Sequence, residues 1–466
     1  MGKKHHHHIS RRKFLGQASC ATIGYTSLLS TLVNLKSMNA MAIDNSFVIG
    51  SGDYKAMVCI MLEGGNDSFN MLVPTNQDAY NTYAEVRSNL AIPQADLLPL
   101  NGTEYGLHPS LTGMQSLFNN GQLSFISNIG TLIEPVTKDE VWNNDTKLPL
   151  GLFSHSDQTR QWQTGLPHER SAIGWGGRIA DLLGDQNANQ NVSMNLSLNG
   201  GNVFQTGSTT VPYTLDRENG ANAINGYNND WLFNELRSKG VDNMLDAHYQ
   251  DLFKQSYVDV IKVAKQAGEE ISAALESLPE LTTTFSDNEL STSLNMVAKM
   301  MAARNTLDVK RQIFFVSYGG WDHHDEVINA QYEMYGVLGN ALLEFNNALN
   351  ELNLNDCVTT FSLSEFGRTL SSNGNGSDHG WGGNVFAMGG PVNGGRIFGT
   401  YPDIALQSEL EIGGGVYIPT TSCDEYFAEL ALWLGVSPSS LVDIFPNIGN
   451  FYSPGSGTLP LGFLNI

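Results

Sequence analysis

The sequence holds four groups of acidic residues and histidines at the ends of short apolar segments: Glu63 with Asp67, Asp322 with His324, Glu365 alone, and Asp378 with His379. Carboxylate oxygens and imidazole nitrogens in one polar pocket are the ligand set of Zn²⁺, Mn²⁺ and similar ions. Two neighbouring ions can hold both the attacking and the leaving oxygen of a displacement at phosphorus or sulfur. The four groups therefore predict a metal site, with a hydrogen-bonded loop clamp as the structural alternative for the Asp-His pairs.

The apolar segments beside these groups predict β-strands at Met57–Leu62, Leu123–Ile129, Ile313–Tyr318, Val358–Leu363 and Val385–Met388. Met57–Leu62 is an unbroken apolar run, which is typical of a strand that is buried on both faces of a sheet. Long connections with helical patterns separate the predicted strands, which favours an α/β fold with a mostly parallel sheet and helices on both faces. Because parallel strands end at one edge of the sheet, residues about 300 positions apart can meet there.

Amphipathic patterns predict helices near Val241–Leu278, Leu290–Leu307 and Val327–Leu352, and a last helix follows the cap-like Thr420-Thr421-Ser422. A stretch rich in Asn and Gly near residues 186–231 is predicted to be an insertion of loops and short strands in a single domain spanning residues 43–466.

Another candidate site is the segment from Phe153 to Gly165, which is predicted to be a loop that enters a helix. Ser154, His155 and Ser156 would then lie at the helix N-terminus, where free N–H groups bind anions. The alternative is a plain capping segment without a ligand.

Arg368 has two interpretations: it holds an anionic substrate, or it neutralises Glu365. His108 and His168 each stand beside a proline and are interpreted as structural.

The N-terminus has the pattern of an export signal. Residues 10–16 read SRRKFLG, a twin-arginine pattern, and Ala40-Met41-Ala42 is a small-x-small cleavage site after a mildly apolar stretch. We expect residues 1–42 to be removed and the mature protein to lie in the periplasm or at the cell surface. A membrane anchor is the alternative, but the Thr, Ser, Gly and Asn in the apolar stretch make it a weak membrane span.

Without that segment the chain has 19 basic and 47 acidic residues. Such an acidic surface argues against binding nucleic acid or anionic lipid, and no integral membrane span is predicted in the mature chain. Its three cysteines, Cys59, Cys357 and Cys423, are predicted to be buried thiols and not a disulfide framework.

Five motifs, together with the twin-arginine start, resemble the bacterial family called domain of unknown function 1501: LEGGNDSFNMLVP (62–74), GGWDHHDE (319–326), SEFGRT (364–369), DHGWGGNVFAMGG (378–390) and PTTSCDEYFAELALWLGV (419–436). The resemblance covers essentially the whole mature chain. That family is grouped by sequence similarity with the alkaline phosphatase and sulfatase superfamily. The resemblance implies an alkaline-phosphatase-like three-layer α/β/α sandwich, and the biochemical role of the family itself is not established.

The superfamily also implies metal-binding roles for the acidic and histidine residues. His379 resembles its last metal-binding histidine, and Asp322 with His324 resembles an earlier ligand pair at shorter spacing. Glu365 ends its strand where the superfamily has an Asp-His pair, but Phe366 follows it, so one ligand is missing. The first-strand aspartate would be Asp67 in preference to Glu63.

The segment Thr159–Gly165 resembles the nucleophile helix of the superfamily, which also ends in Thr-Gly. Without gaps, this resemblance puts His155 where those enzymes have Ser, Thr or a modified Cys. A shift of one residue would restore Ser154 or Ser156 as the nucleophile. Alternatively, His155 is itself a ligand or nucleophile, or the site only binds.

The first hypothesis is an exported metal-dependent hydrolase that acts on a small-molecule or polymeric phosphate or sulfate ester. Ser154 or His155 would attack, Arg368 would steady the anion, and one or two divalent ions (Zn²⁺, Mn²⁺ or Ca²⁺) would be held by Asp67, Asp322, His324, Glu365, Asp378 and His379. The second hypothesis is a non-catalytic member that binds a carbohydrate, a polymer or a protein partner at the cell surface. A third is an exported structural protein without metal.

Overall fold

A computed structural model of the chain describes residues 53–221, 227 and 233–466. The predicted signal at residues 1–42 lies outside the described residues, as does part of the predicted insertion near 186–231. In the portion that is described, no helix combines the length and the apolar character that a membrane span requires.

The described strands are β1 (Lys55–Glu63), β2 (Leu72–Pro74), β3 (Leu98–Pro99), β4 (Tyr105–Leu107), β5 (Leu123–Gly130), β6 (Asn195–Ser197), β7 (Tyr213–Asp216), β8 (Gly220–Ala221), β9 (Arg311–Gly319), β10 (Val358–Leu363), β11 (Arg368–Ser372), β12 (Ser377–His379), β13 (Gly383–Met388), β14 (Ile397–Gly399) and β15 (Thr421–Ser422). The main sheet has the order β14-β5-β13-β10-β1-β9-β6-β7-β8, with β15 beside β5. β10, β1, β9, β6 and β7 run parallel, and β13 runs antiparallel to β10 and β5.

The described α-helices are α1 (Gln77–Arg87), α2 (Thr112–Asn119), α3 (Lys138–Asn143), α4 (His155–Thr164), α5 (Trp175–Leu183), α6 (Asn234–Asp246), α7 (Leu252–Glu276), α8 (Glu289–Ala302), α9 (Val327–Glu351), α10 (Cys423–Leu434) and α11 (Leu441–Ile444). The predicted helix at Val241–Leu278 is in fact two helices, with a break between Asp246 and Leu252. Helix α10, which the sequence predicted as the last helix, begins at the predicted cap, because Ser422 and Glu425 form a capping box.

Helices cover both faces of the sheet because successive side chains of each strand point to opposite faces. On one face, alternate residues of β1 such as Val58 and Ile60 join a buried apolar cluster with residues of α2, α8 and α9. On the other face, Trp175 of α5 stacks on Phe427 of α10 and contacts Phe361 of β10. This three-layer arrangement with a mostly parallel sheet confirms the predicted fold class.

The three central strands end together. In the register of β1 with its parallel neighbours, Glu63 lies beside Gly319 of β9, and Met61 lies beside Leu363 of β10. The segments that leave β1, β9 and β10 therefore start from one edge of the sheet. This edge is where ligands bind in open α/β sheets.

The loop predicted after β10 contains a β-hairpin. Strands β11 and β12 pair antiparallel, with Arg368 opposite His379. Because β13 is antiparallel, the hairpin that precedes it lies at the same edge of the sheet as the end of β10. All three mature-chain cysteines are free, with Cys59 and Cys423 buried and Cys357 half-buried.

Candidate functional site

The end of β1 is a glycine turn that lets two other segments approach closely. Gly64 and Gly65 have φ of +121° and +82°, in the left-handed region that favours glycine. A Cβ on Gly64 would lie 2.4 Å from the backbone nitrogen of Asp322, and one on Gly65 would lie 2.3 Å from the ring of Phe366. The turn therefore brings Asp322 and Phe366 against the end of β1.

Helix α4 supplies the next member of the site. Ser154 is its N-cap residue, Gly165 ends it in the left-handed conformation, and His155 is its first helical residue. His155 Nδ1 lies 2.9 Å from Glu365 Oε1, which also accepts a hydrogen bond from the Gly64 N–H. The segment predicted as a capped helix thus presents a histidine to the strand ends.

Three histidines converge on the carboxylate of Asp322. Their Nε2 atoms lie 3.4 Å (His155), 3.1 Å (His324) and 3.4 Å (His379) from its oxygens. His324 Nε2 and His379 Nε2 are 3.0 Å apart. Of all the described residues, only His155, Asp322 and His379 form a group of three with ligand atoms that all lie within 4.8 Å of one another.

The other ring nitrogen of each histidine faces an atom that can only accept a hydrogen bond. His155 Nδ1 donates to Glu365, His324 Nδ1 donates to Asp378 at 3.2 Å, and His379 Nδ1 donates to the backbone carbonyl of Phe153 at 2.7 Å. Nδ1 therefore carries the proton in each ring, and a neutral ring presents the Nε2 lone pair to Asp322. This is the arrangement that outer partners impose on metal-binding histidines.

The donor set fits a small divalent cation. A tetrahedral Zn²⁺ site with bonds of about 2.0 Å has ligand atoms about 3.3 Å apart. His155 Nε2 lies 3.4 Å from Oδ2 of Asp322 and His379 Nε2 lies 3.4 Å from Oδ1. One ligand atom from each of the three residues lies within 4.8 Å of the other two, so modest side-chain shifts would bring the set to that spacing. Two imidazoles and one carboxylate also leave a coordination position open, as catalytic zinc sites do.

Glu365 contacts His155 through one carboxylate oxygen, and its second oxygen has no hydrogen-bond partner. Its side chain is 3% exposed, and no hydrogen bond reaches its buried Oε2 atom. A buried carboxylate oxygen without a partner is costly unless a proton or a cation lies nearby. The orphaned oxygen therefore adds to the case for a cation at this place.

Arg368 is fully buried and its donors are used within the site. The guanidinium donates to the carbonyls of Gly64, Gly65 and Ser377 and to the carboxylate of Asp322. The ion pair with Glu365 that the sequence suggested does not form, because Asp322 takes that place. Since these bonds occupy the guanidinium, Arg368 orients Asp322 and the glycine turn and does not present free donors to an anion.

Two predicted metal ligands have other partners. Asp67 is fully buried, and its Oδ2 accepts hydrogen bonds from Arg87 at 2.8 Å and from Ser377 at 2.7 Å. Asp378 is 59% exposed and contacts His324 through the outer ring nitrogen. The structure therefore separates Asp67 from the three-residue group and makes Asp378 an outer partner of a histidine.

Charge and burial set the protonation states that a metal site needs. Burial raises the pKa of Asp322, but the hydrogen bond and the charge of Arg368 outweigh it, so the pKa lies below its ordinary value. A hydrogen bond from Asn373 lowers the pKa of Asp378, and burial lowers the pKa of His379. At neutral pH these shifts favour ionised carboxylates and a neutral imidazole, which are the forms that bind metal.

Phe366 shapes the apolar side of the site. Its ring stacks on His379 with centroids 4.5 Å apart and lies 4.9 Å from the ring of His155. In the sequence analysis, Phe366 only marks the place of a missing ligand. Its position directly after Glu365, at the end of a buried strand, is the signal that could have indicated this packing role.

The hydroxyl groups beside His155 lie at the start of α4. Ser154 Oγ and Ser156 Oγ are 3.3 Å apart, and the Ser154 side chain forms no capping hydrogen bond to the helix. The first N–H groups of an α-helix have no partner within the helix. The start of α4 therefore offers amide donors next to the His155 ligand atom, and the Ser154 hydroxyl is hydrogen-bonded to the Asp157 carboxylate.

A family model described as "Protein of unknown function (DUF1501)" matches residues 54–412. The chain belongs to this family. No curated protein matches this family member in the search of curated sequences.

Three solved structures that are similar to this family member illustrate the comparison. It is 14% identical to Ps i-CgsB, with a TM-score of 0.34 and coverage of 85% of this chain and 76% of that one. It is 10% identical to the PsFucS1 sulfatase from Pseudoalteromonas sp., with a TM-score of 0.32 and coverage of 87% and 71%. It is 9% identical to the lipoteichoic acid synthase LtaP from Listeria monocytogenes, with a TM-score of 0.29 and coverage of 84% and 80%.

Proposed function

We propose that this protein is a metal-dependent hydrolase of phosphate or sulfate esters, with the metal held by His155, Asp322 and His379. One observation carries the proposal: three histidine Nε2 atoms face one carboxylate, while each Nδ1 is bound by an outer acceptor. Such an arrangement brings lone pairs together, which is unfavourable without a cation between them.

The ligand types favour Zn²⁺ or Mn²⁺ over Ca²⁺. Imidazole nitrogen suits zinc and other transition metals, whereas Ca²⁺ takes six to eight oxygen ligands. His324 would complete the ligand set or stay outside it, because its Nε2 atom also lies 3.4 Å from Arg368 Nη1. When bound, such an ion polarises an ester oxygen and increases the acidity of water.

Residues of the chain would bind and orient the ester. The free N–H groups at the start of α4 suit the anionic oxygens of a phosphate or sulfate group. Ser154 is the candidate nucleophile, because both ring nitrogens of His155 are already engaged. Arg368 acts as a positioning residue that keeps Asp322 ionised and directed at the histidines.

A second candidate is a non-catalytic protein that binds a carbohydrate or another polymer at the cell surface. The observation in its favour is the lack of a free cationic side chain, since among the described residues of the site the single arginine is fully bonded. We infer export by the twin-arginine pathway in either case, from the sequence of residues 1–42.

The first test is elemental analysis of the purified mature protein, residues 43–466, beside His379→Ala and His168→Ala. His168 is an exposed histidine whose only described hydrogen bond is with Asn447, so its variant is the matched control. We expect about one equivalent of zinc or manganese in the wild type and the control, and loss of the metal in His379→Ala. A metal-free wild type after reconstitution would refute the metal site.

The second test is turnover of p-nitrophenyl phosphate and p-nitrophenyl sulfate by the metal-loaded protein. We expect hydrolysis that Ser154→Ala and Asp322→Ala abolish and that His168→Ala leaves intact. Metal binding without turnover of any ester in a broad panel would instead support the binding protein. Full turnover by Ser154→Ala would remove Ser154 as the nucleophile.

A further inference from the structure

A polar cavity lies on the side of β9 and β6, and one of its lining residues, Glu63, directly precedes the Gly64 turn of the candidate site. The volume of the cavity is about 460 Å³, within the range of about 300–1,000 Å³ for small-molecule sites. Glu63 at the end of β1, Gln163 of α4 and Phe315 of β9 line one side. The other side comes from residues 199–206, which belong to the Asn- and Gly-rich stretch that the metal site does not use.

The cavity lies next to the cluster along two elements. Glu63 directly precedes Gly64, whose N–H bonds Glu365, and the Glu63 carbonyl accepts a hydrogen bond from the N–H of Trp321, the residue before Asp322. Gln163 follows His155 by eight residues on α4, about 12 Å along the helix axis. A chain molecule whose ester lies at the three-residue group would therefore reach the cavity with a unit further along its chain.

The polar groups of the cavity are fixed, and some of them remain free. Gln163 Oε1 accepts hydrogen bonds from the N–H groups of Val203 and Phe204, which leaves its Nε2 as a donor for the cavity. Asn199 Oδ1 accepts a hydrogen bond from the Ser317 N–H, which leaves its Nδ2 free in the same way. The two amide donors are thus held in place before a ligand arrives.

The cavity also offers two hydrogen-bond acceptors, the Glu63 carboxylate and Thr206 Oγ1. The Glu63 carboxylate has no hydrogen bond or ion pair with any described residue. Thr206 Oγ1 donates to the carbonyl of Asn202 and keeps its lone pairs available. Since a hydroxyl group both donates and accepts, adjacent hydroxyls can bond an amide donor and a carboxylate together.

The lining also excludes an anion. None of the side chains that line the cavity within the described residues carries a positive charge, and Glu63 adds a negative one. A phosphate or sulfate group would be repelled here and would belong at the metal. We propose that this cavity binds a neutral, hydroxyl-rich ring, a sugar unit of the same chain as the esterified one, so that the substrate is an ester of a carbohydrate polymer. This substrate class rests on the hydrolase function proposed above, whereas sugar binding itself does not.

The test measures the binding of three neutral probes: the methyl α-glycosides of galactose, glucose and mannose. Binding is followed by saturation-transfer NMR and titration calorimetry on the full mature chain. We expect at least one probe to bind the wild type, the metal-free wild type and His379→Ala alike. Glu63→Ala should weaken that binding about tenfold or more, because hydrogen bonds to a charged group are strong. Glu85→Ala, which removes an exposed carboxylate on α1, is the matched control.

A second variant separates loss of probe binding from loss of folding. Gln163→Glu keeps an oxygen for the Val203 and Phe204 N–H groups but replaces the free donor with an acceptor, so we expect it to lose probe binding at unchanged melting temperature. The proposal is overturned if none of the three probes binds, or if Glu63→Ala binds as tightly as Glu85→Ala. Probe binding without metal or turnover would overturn the hydrolase alone, and turnover without probe binding would overturn the sugar site alone.

Discussion

The first prediction concerns Glu365 and Asp378, the two carboxylates that accept hydrogen bonds from histidine Nδ1 atoms in the candidate site. Glu365→Gln keeps the size of the side chain and an oxygen for His155 Nδ1 and the Gly64 N–H, and it removes the charge and replaces the unpartnered oxygen with an amide donor. Outer partners of metal-binding histidines contribute about 10- to 100-fold to metal affinity. We therefore expect Glu365→Gln to weaken zinc binding by that factor, about 1.4–2.7 kcal/mol.

Asp378→Asn provides the comparison, because Asp378 contacts His324 Nδ1 as Glu365 contacts His155 Nδ1, but its side chain is far more exposed. Glu365 is 3% exposed at the side chain and Asp378 is 59% exposed. With an effective dielectric constant of about 20 for the buried group and about 80 in water, the charge of Asp378 counts for about a quarter as much. The expected loss for Asp378→Asn is therefore about two- to threefold in affinity.

The assay is a competitive zinc titration against a chromophoric chelator, with the melting temperature of each metal-free variant as a check on folding. The exposed His168→Ala variant should bind zinc as the wild type does. Wild-type affinity in Glu365→Gln, or a larger loss in Asp378→Asn than in Glu365→Gln, would refute the assignment of Glu365 as the carboxylate that holds a metal-binding histidine.

Two further predictions concern the stability of the fold. In chemical denaturation, Gly65→Ala should destabilise the protein by about 1–3 kcal/mol more than Gly102→Ala. Both glycines have positive φ, but only at Gly65 would a Cβ clash with the ring of Phe366. Equal losses of unfolding free energy in the two variants would contradict the clash. Burial lowers the pKa of His108 to about 4, below the ordinary 6.5, so the unfolded chain takes up a proton first as the pH falls. The free energy of unfolding of the wild type should therefore fall by up to about 3 kcal/mol between pH 6.5 and 4, and His108→Gln should not show this fall. Parallel curves of unfolding free energy against pH for the two proteins would rule this out.

The strands that form the site edge were predictable because they are runs rich in apolar and β-branched residues. Val358–Leu363 has the predicted bounds, and β1 and β9 are each three residues longer than predicted. Burial on both faces leaves few alternatives for such segments. The break between α6 and α7 was missed because residues 247–251 interrupt a helical pattern that continues on both sides.

The sequence by itself determined which residue types the site would draw on, since the histidines and carboxylates follow strands that must share an edge of the sheet. Only the tertiary structure decided their roles. Whether a carboxylate contacts a metal or holds a histidine depends on which ring nitrogen it faces, and that depends on how α4 and the β11–β12 hairpin approach the strand ends. Likewise, Asp67 lies outside the three-residue group and pairs with the buried Arg87 of α1. Pairings of this kind are set by long-range packing, which local sequence patterns do not encode.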